Sequence, residues 1–252
     1  MLKTVCADLH VHTCLSPCGE LEMTPTRIVR TCLEREIDVI AVCDHNTAEN
    51  VRGVRKAAQG TALTVLAGME VTTAEDVHIL AIFNKEEAAI LLQHDVYRHL
   101  LPGENEEDIF GIQVVADEHD VVQRIIPALL IGGTTITLET LIAQIHALGG
   151  LSIASHIDRE AFSLAGQLGL IPDGLLLDAL EVSLAGDPED VRKNVMGADT
   201  LPIISSSDAH RVSEIGQRCT RFRLADPTVE ELALAFAEQD SRTILGLGSG
   251  RC

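Results

Sequence analysis

Eight histidines and carboxylates of this chain stand at the carboxyl ends of short apolar runs that predict strands. They are, in chain order, His10, His12, His45, Glu70, His78, His156, Asp208 and His210. Alternate residues of a strand point to the same face, so His10-Val11-His12 predicts two neighbouring imidazoles. In a closed sheet of parallel strands, the carboxyl ends meet at one mouth. Nitrogen and oxygen ligands gathered at such a mouth are typical of a metal site.

A single His-x-His sequence is only moderately specific, because chance or a simple core role explains it about as well. The recurrence of histidine after similar apolar runs strengthens the interpretation. Buried imidazoles without a partner are costly, so several of them at strand ends need a shared partner. A group of bound cations would serve all of them.

Strand and helix patterns alternate along most of the chain. Apolar runs predict strands at 4–11, 38–43, 63–67, 77–83, 151–155, 179–183 and 201–205. Helical spacing of apolar residues follows several of these runs. About seven strand–helix units in 252 residues favour a single β/α barrel over a doubly wound sheet.

The rhythm changes between about residues 85 and 135. A helix is predicted at 85–101, an acidic loop at 103–108 and a hairpin within 113–126. This segment is too short for an independent core, so we expect a helix–hairpin insertion in one domain that spans 1–252. The glycine-rich tail from Gly246 onward is predicted to be mobile.

The formal net charge of −19 argues against tight binding of long nucleic acid. A small phosphorylated substrate is still compatible with it, because bound cations would dominate the local charge. The chain has no signal-peptide pattern and no apolar run near the roughly 20 residues that span a bilayer. With seven cysteines in no regular framework, these features predict a cytoplasmic protein without a membrane partner.

The ordered motifs resemble those of the PHP (polymerase and histidinol phosphatase) superfamily. They are Asp8-Leu9-His10-Val11-His12-Thr13, Asp44-His45-Asn46, Gly68-Met69-Glu70, His78, His156 and Ser207-Asp208-Ala209-His210. The resemblance covers about residues 4 to 212. It implies a distorted seven-stranded, TIM-like β/α barrel with two or three metal ions. Members hydrolyse phosphoesters, and others serve as exonuclease or accessory modules of bacterial polymerases.

The resemblance also implies a ligand set for zinc, manganese or iron. One ion would be held by His10, His12, Glu70 and Asp208; Glu70 would bridge to a second with His78 and His156; His45 and His210 would hold a third. At this third site the family often has Asp or His where this chain has Cys18. A thiolate suits zinc or iron better than manganese or magnesium. Glu20 could take its place, or Cys18 could be a small buried residue beside a two-metal site.

Other residues near the motifs are candidates for catalysis and substrate binding. Asp44, Asp208 and His210 are the candidate catalytic residues. Arg159 and Arg211 follow histidine ligands closely and could clamp phosphate oxygens bidentately, although solvated surface arginines are about as frequent. Asp8 and Asp44 are expected either to orient imidazoles or to cap turns. Glu181 either touches the site from the barrel interior or pairs with an arginine, and it stays outside the expected ligand set.

These expectations combine into a metal-dependent phosphoesterase. A metal-bridging hydroxide would cleave a phosphoester bond of a small phosphorylated metabolite or nucleotide. A short oligonucleotide is a variant of this substrate. The alternatives are an amidohydrolase-like enzyme acting on a substrate without phosphate, and a metal-binding accessory module without catalysis. Cationic side chains near the metals would favour phosphate, whereas their absence would favour the amidohydrolase alternative.

Overall fold

The computed structural model describes residues 1–248, which form eleven strands and eight α-helices. The strands are β1 (Lys3–Val11), β2 (Val39–Val42), β3 (Thr64–Thr72), β4 (His78–Phe83), β5 (Val114–Ala116), β6 (Val122–Ile125), β7 (Leu151–Ala154), β8 (Ala179–Val182), β9 (Ile203–Ser205), β10 (Cys219–Leu224) and β11 (Thr243–Gly248). The helices are α1 (Pro25–Glu34), α2 (Val51–Ala57), α3 (Glu86–His99), α4 (Glu107–Phe110), α5 (Leu138–Ala147), α6 (Leu164–Leu168), α7 (Pro188–Asn194) and α8 (Val229–Phe236).

Nine of these strands form one sheet in the order β11-β10-β1-β2-β3-β4-β7-β8-β9. The sheet curls into a nearly closed barrel, and its two ends meet where β9 approaches β10. There, the Thr220 hydroxyl accepts a hydrogen bond from Ser205 N and donates one to Ser205 O, each at 2.8 Å. The predicted α/β barrel is therefore confirmed, but the expected count of seven strands is wrong. Two strands of the sheet are not predicted from the apolar runs of the sequence. They are β10, whose apolar residues alternate with arginines, and β11, which contains glycine.

The sheet is mixed rather than all-parallel, because β4 runs antiparallel to both of its neighbours. It follows β3 through a tight connection in which Thr73 N donates to Val77 O at 2.9 Å. The amino end of β4 therefore lies at the rim where the parallel strands have their carboxyl ends. His78 is the first residue of β4, so the expectation that every ligand follows the end of a strand is wrong for this residue.

Alternate strand residues form apolar clusters on the two faces of the sheet, as a barrel requires. One cluster joins the sheet to apolar residues of α1, α2, α3 and α5. On the opposite face, residues such as Leu9, Ile153 and Phe222 pack with one another and with α8. These two aliphatic layers hold the strand ends in place around the rim.

A two-stranded sheet of β5 and β6 lies beside this rim, within the segment predicted as an insertion. Asn50 anchors it, because its amide accepts from Ala116 N at 2.9 Å and donates to Val114 O at 3.0 Å. Helix α3, by contrast, packs into the main core through Ala89, Leu92 and Val96. The single domain with an insertion at about 85–135 stays a prediction.

The chain end differs from the expected mobile tail, because residues 243–248 pair with β10 as strand β11. The remaining tail residues, 249–252, lie outside the described part of the chain. Among residues 1–248, no helix has the length and apolar character needed to cross a membrane.

Gly68 in β3 lets two neighbouring strands approach closely, two residues before Glu70. A Cβ atom here would lie 2.9 Å from both Cys43 Sγ and Ala81 O. We therefore expect Gly68→Ala to lower the free energy of unfolding by about 1–3 kcal/mol, the usual cost of overpacking a core. Urea unfolding of the two proteins measures this difference.

Gly103→Ala is the matched control, because its new Cβ would only touch the Leu129 side chain at an ordinary 3.4 Å. We expect a change in the free energy of unfolding within about 0.5 kcal/mol for this variant. Equal effects of the two substitutions would contradict the importance of close packing at Gly68.

Candidate metal centre

The Glu70 carboxylate is the meeting point of histidines from several strands. Its Oε1 lies 3.0 Å from His78 Nδ1 and 3.3 Å from His156 Nε2. Its Oε2 lies 3.1 Å from His45 Nδ1 and 3.5 Å from His10 Nε2. The two oxygens therefore face different imidazoles, which is the arrangement of a carboxylate that bridges two cations.

His10 and His12 lie side by side at the end of β1, as the His-x-His sequence predicts. Their Nε2 atoms are 3.0 Å apart, and Asp208 Oδ1 lies 3.3 Å from the first and 3.2 Å from the second. With Glu70, these side chains form one group whose ligand atoms all lie within 4.8 Å of one another. This group has the composition expected for the first cation.

Two further groups of ligand atoms share residues with the first. One contains His45, Glu70 and His78, and the other contains His12, His45 and His210. His156 joins the cluster through its contact with Glu70. All eight histidines and carboxylates that the sequence places at strand ends are thus brought together. His45 belongs to both the second and the third group.

Cys18 lies outside all three groups, and its thiol is exposed. The backbone of the turn at residues 16–20 is held by two hydrogen bonds of 2.9 Å, from Cys18 N to Phe110 O and from Glu20 N to His210 O. The idea of a small buried Cys18 is therefore wrong. Glu20 is also outside the groups, and its carboxylate lies 3.5 Å from Arg211 Nε. The third group of ligand atoms contains His12 and not Cys18, and a Cys18 ligand stays a prediction.

The residues of this cluster fit a set of divalent cations. Among its buried ring nitrogens, His45 Nδ1 and His210 Nε2 have no hydrogen-bond partner. Buried polar atoms without partners are costly, and a shared cation would satisfy imidazoles and carboxylates together. The mixed nitrogen and oxygen donors suit zinc, manganese and iron.

The charges inside the cluster are strongly coupled. Burial alone would raise the pKa of Glu70, but His78, His10 and His45 hold it well below its ordinary value. Burial opposes protonation of His10, yet Glu181, Asp208 and Glu70 raise its pKa well above the ordinary value. The nearby His10 and His12 likewise hold the pKa of Asp208 well below its ordinary value, so Glu70 and Asp208 are in the ionised state that binds cations.

The structure distinguishes between the two predicted positions of Glu181, because its side chain contacts the site from the barrel interior. Its Oε2 accepts from His10 Nδ1 at 2.9 Å and from His156 N at 3.2 Å, and the residue is buried. A carboxylate on the remote nitrogen of a histidine fixes the ring orientation and increases its basicity. The sequence contains one indication of this role. Glu181 lies in an apolar strand, where burial of a glutamate without a partner is costly.

Asp44 and Asp8 also support the cluster, but neither contacts an imidazole directly. Asp44 accepts hydrogen bonds from Thr13 N, Thr13 Oγ1 and Ser16 Oγ, and Ser16 Oγ lies 2.7 Å from His12 Nδ1. The Asp44 carboxylate is fully buried and lies behind His12, with Ser16 between them. Its catalytic role stays a prediction.

Asp8 fixes the loop that carries Asp208. It accepts from Ser207 N and Oγ, at 2.9 and 2.6 Å, and from Gly216 N at 2.8 Å. Burial raises its pKa to about 6, although these hydrogen bonds oppose the shift. The loop is also strained, since Asp208 has a left-handed φ of 51°. Such strain persists where the surroundings hold a residue in a functional position.

The two arginines expected as phosphate clamps are placed differently. Arg159 Nη2 lies 2.8 Å from Asp208 Oδ2, so its guanidinium is at the cluster. Arg211 instead points toward Glu20 and Glu214 on the surface, and 63% of its side chain is exposed. The expectation of a phosphate clamp therefore fits the geometry of Arg159 and not that of Arg211.

The cluster opens to solvent on one side. The side chains of His10 and His12 are completely buried, whereas those of Asp208 and His210 are 10% and 22% exposed. Arg159 also forms part of the wall of a cleft of about 460 Å³. Carboxylates such as Asp187 and Asp190 line the same cleft.

Solved structures of three other proteins resemble this fold. The lesion-specific endonuclease Q of Pyrococcus furiosus is 19% identical with a TM-score of 0.68, over 97% of this chain and 58% of that one. PsfC of Pseudomonas syringae is 18% identical with a TM-score of 0.58, over 96% and 91%. An amidohydrolase of Chromobacterium violaceum is 19% identical with a TM-score of 0.52, over 81% and 87%. At these identities the similarity concerns the fold alone.

A curated relative is the uncharacterized protein YqxK of Bacillus subtilis, which is 31% identical over 107 residues. The match covers 40% of this chain and 27% of YqxK. The chain thus spans little more than a quarter of YqxK and 58% of the endonuclease.

Two family matches cover more than half of the chain. Residues 8–119 match the PHP domain, and residues 198–240 match the PHP-associated family. The first range contains the cluster residues from His10 to His78, and the second contains Asp208 and His210. The match of residues 8–119 to the PHP domain confirms the resemblance that the sequence motifs show.

Proposed function

We propose that this protein is a metal-dependent phosphoesterase that acts on a small phosphorylated metabolite or nucleotide. The observation that carries the proposal is the guanidinium of Arg159 beside Asp208, at the open side of a dense histidine and carboxylate cluster. The guanidinium of arginine can donate two hydrogen bonds to the oxygens of a phosphate group. A carboxamide or lactone substrate has no such anionic group. This cation at the mouth favours phosphate over an amidohydrolase-like substrate.

The proposed ligands are the residues of the three groups together with His156. His10, His12, Glu70 and Asp208 would hold one cation; Glu70, His78 and His156 a second; and His45 and His210, next to His12, a third. Zinc, manganese or iron there would supply an activated water and neutralise charge on the phosphoryl oxygens. A complete ligand set argues against an accessory module that has lost catalysis.

The protein's own residues would orient the substrate. Arg159 would bind phosphate oxygens while it stays close to Asp208, and so would bring the ester to the open side of the cluster. Asp208 and His210 remain the candidate catalytic residues, because they are the ligands with the most exposed side chains. Glu181 would orient His10, and the pair of Ser16 and Asp44 would orient His12.

The net charge of −19 and the acidic cleft favour a small substrate over long nucleic acid. A terminal nucleotide of a short oligonucleotide would still fit the chemistry of the centre. A structure of endonuclease Q contains a 27-mer duplex substrate with an abasic lesion at the active site. That substrate belongs to a protein of which this chain matches only 59%.

Substitution of both histidines of the His-x-His pair tests the centre itself. The double variant His10→Ala, His12→Ala removes ligands of two groups, so we expect loss of bound metal and of phosphomonoester hydrolysis. Elemental analysis of protein purified without added metal should give two or three divalent ions per parent chain. The same analysis should give at most one ion in the variant.

The matched control is His94→Ala, His99→Ala on exposed positions of α3. It should retain the metal content and turnover of the parent. Parent-like hydrolysis by the His10, His12 variant would refute the assignment of the centre.

Glu181→Gln tests the proposed orientation of His10. Glutamine keeps the shape of the side chain but loses its charge, so we expect metal affinity about 10–100-fold weaker than in the parent. Competition with a chromogenic chelator measures this affinity. Glu139→Gln, on the surface of α5, is the control and should not change it. An unaltered affinity in Glu181→Gln would rule out the proposed contribution of this carboxylate.

Arg159→Ala tests the phosphate-binding role. A hydrogen bond to a charged group is worth about 1.5–3 kcal/mol, so kcat/KM for a phosphomonoester should fall about 10–100-fold. Steady-state kinetics at saturating metal measure the loss. Arg30→Ala, which removes an exposed partner of Glu34, should change kcat/KM less than about threefold. A similar kcat/KM in both variants would count against Arg159.

A further inference from the structure

An exposed aromatic ring stands next to the metal centre. Phe162 is 43% exposed, and no other phenylalanine or tyrosine among residues 1–248 is exposed to this degree. The chain has only five phenylalanines and one tyrosine, and Phe83 and Phe222 are buried in the core. Core packing alone does not account for an aromatic side chain left in contact with solvent at this position.

Phe162 is fixed directly against a residue of the cluster. Its ring stacks on the imidazole of His78, with centroids 4.7 Å apart and an angle of 18° between the planes. Its carbonyl oxygen accepts a hydrogen bond from His78 N at 2.9 Å. The Phe162 ring is therefore in direct contact with a residue of the metal centre, although much of its surface is exposed to solvent.

The backbone at this position is strained, and the neighbouring residues stabilise it. Phe162 has a left-handed φ of 57°, which is unfavourable for a bulky side chain. The next residue, Ser163, is buried, and its hydroxyl accepts from Gly166 N at 2.9 Å at the start of α6. A strained residue held in this way at a site is typical of a functional position.

We propose that Phe162 determines specificity by stacking on a planar ring in the alcohol part of the substrate. The inference rests on the proposed phosphoesterase function and narrows the substrate to a nucleoside phosphate. Aromatic side chains bind bases through their faces and tolerate any base, because every base has a π-face. Phosphate held at Arg159 and a base held at Phe162 would place the ester between them, at the centre.

The neighbouring cleft limits the number of phosphate groups. Its carboxylates, including Asp187 and Asp190, repel a second phosphate but accept hydrogen bonds from sugar hydroxyl groups. A free nucleoside monophosphate has one ring and one phosphate. The 5′-terminal nucleotide of an oligonucleotide also fits where its following phosphodiester lies outside the cleft. The shared chemistry of these two sources is a base joined to a terminal phosphomonoester.

The test compares ligands with and without a ring. The ligands are the phosphonate analogues of AMP and of ribose 5-phosphate, in which a methylene group replaces the ester oxygen and prevents hydrolysis. Isothermal titration of the metal-loaded protein gives the ratio of their dissociation constants. We expect the parent to bind the AMP analogue about tenfold more tightly, the effect of stacking one base. Any effect of a variant on metal or phosphate binding cancels in this ratio.

Phe162→Leu keeps an apolar side chain but removes the ring, and its ratio should fall to about one or two. Phe162→Tyr restores a ring and should restore the parent ratio. Phe236→Leu, a half-buried phenylalanine that packs on Phe222, is the control and should retain the parent ratio. A parent ratio near one, or the same ratio in Phe162→Leu as in the parent, would overturn the proposal.

Turnover separates this inference from the proposed function. Equal kcat/KM for AMP and ribose 5-phosphate in the parent would keep the phosphoesterase and overturn the role of Phe162. A Phe162-dependent preference in binding, without hydrolysis of either ester, would instead refute the phosphoesterase and keep the ring site. A third analogue, of a 5′-phosphorylated dinucleotide, distinguishes the two sources. If the dinucleotide analogue binds more weakly than the AMP analogue, the natural ligand is a free nucleotide. If the two bind equally, it is the end of an oligonucleotide.

Discussion

The rest of the site depends on the burial of one carboxylate among imidazoles. Glu70 is 1% exposed, and its two oxygens lie within 3.5 Å of ring nitrogens from His10, His45, His78 and His156. Burying so many polar groups is costly unless they share charge. The negative charge of Glu70 and Asp208 lowers this cost, and bound cations would lower it further. The barrel can carry such a cluster because its two aliphatic layers hold the strand ends that present these side chains.

The backbone around the cluster shows how the barrel departs from regular geometry to build it. The pairing of β1 with β2 shifts register between Asp8 and Val11, next to His10. His156 and Asp208 have left-handed φ values of 31° and 51°. Each irregularity lies at or beside a residue of the cluster, and irregular backbone of this kind is common next to active sites, where it re-aims side chains. The surrounding hydrogen bonds, such as those of Asp8 to the loop of Asp208, hold these conformations.

Charge divides the molecule into a repulsive surface and an attractive mouth. The net charge of −19 disfavours a polyanion over most of the surface. Arg159 is the cation placed against the cluster, and Phe162 adds an apolar face beside it. A small anionic ester with a flat ring matches both features, whereas a long nucleic acid would meet the acidic cleft and surface.

The sequence by itself determined the alternation of strands and helices, the β/α barrel and the eight residues of the cluster, because imidazoles that recur beside apolar runs are too costly to bury without a common partner. It did not determine the strand number or the direction of β4. Non-local pairing decides these, and it places His78 at the start of a strand rather than at the end. Tertiary structure alone also decided the roles of the neighbouring charged residues. Arg159 and Arg211 have the same chemistry and similar positions after a histidine, but only Arg159 folds back onto Asp208. Glu181 and Phe162 gained their roles in the same way, because their partners His10 and His78 are distant in the chain and meet them only in the closed barrel.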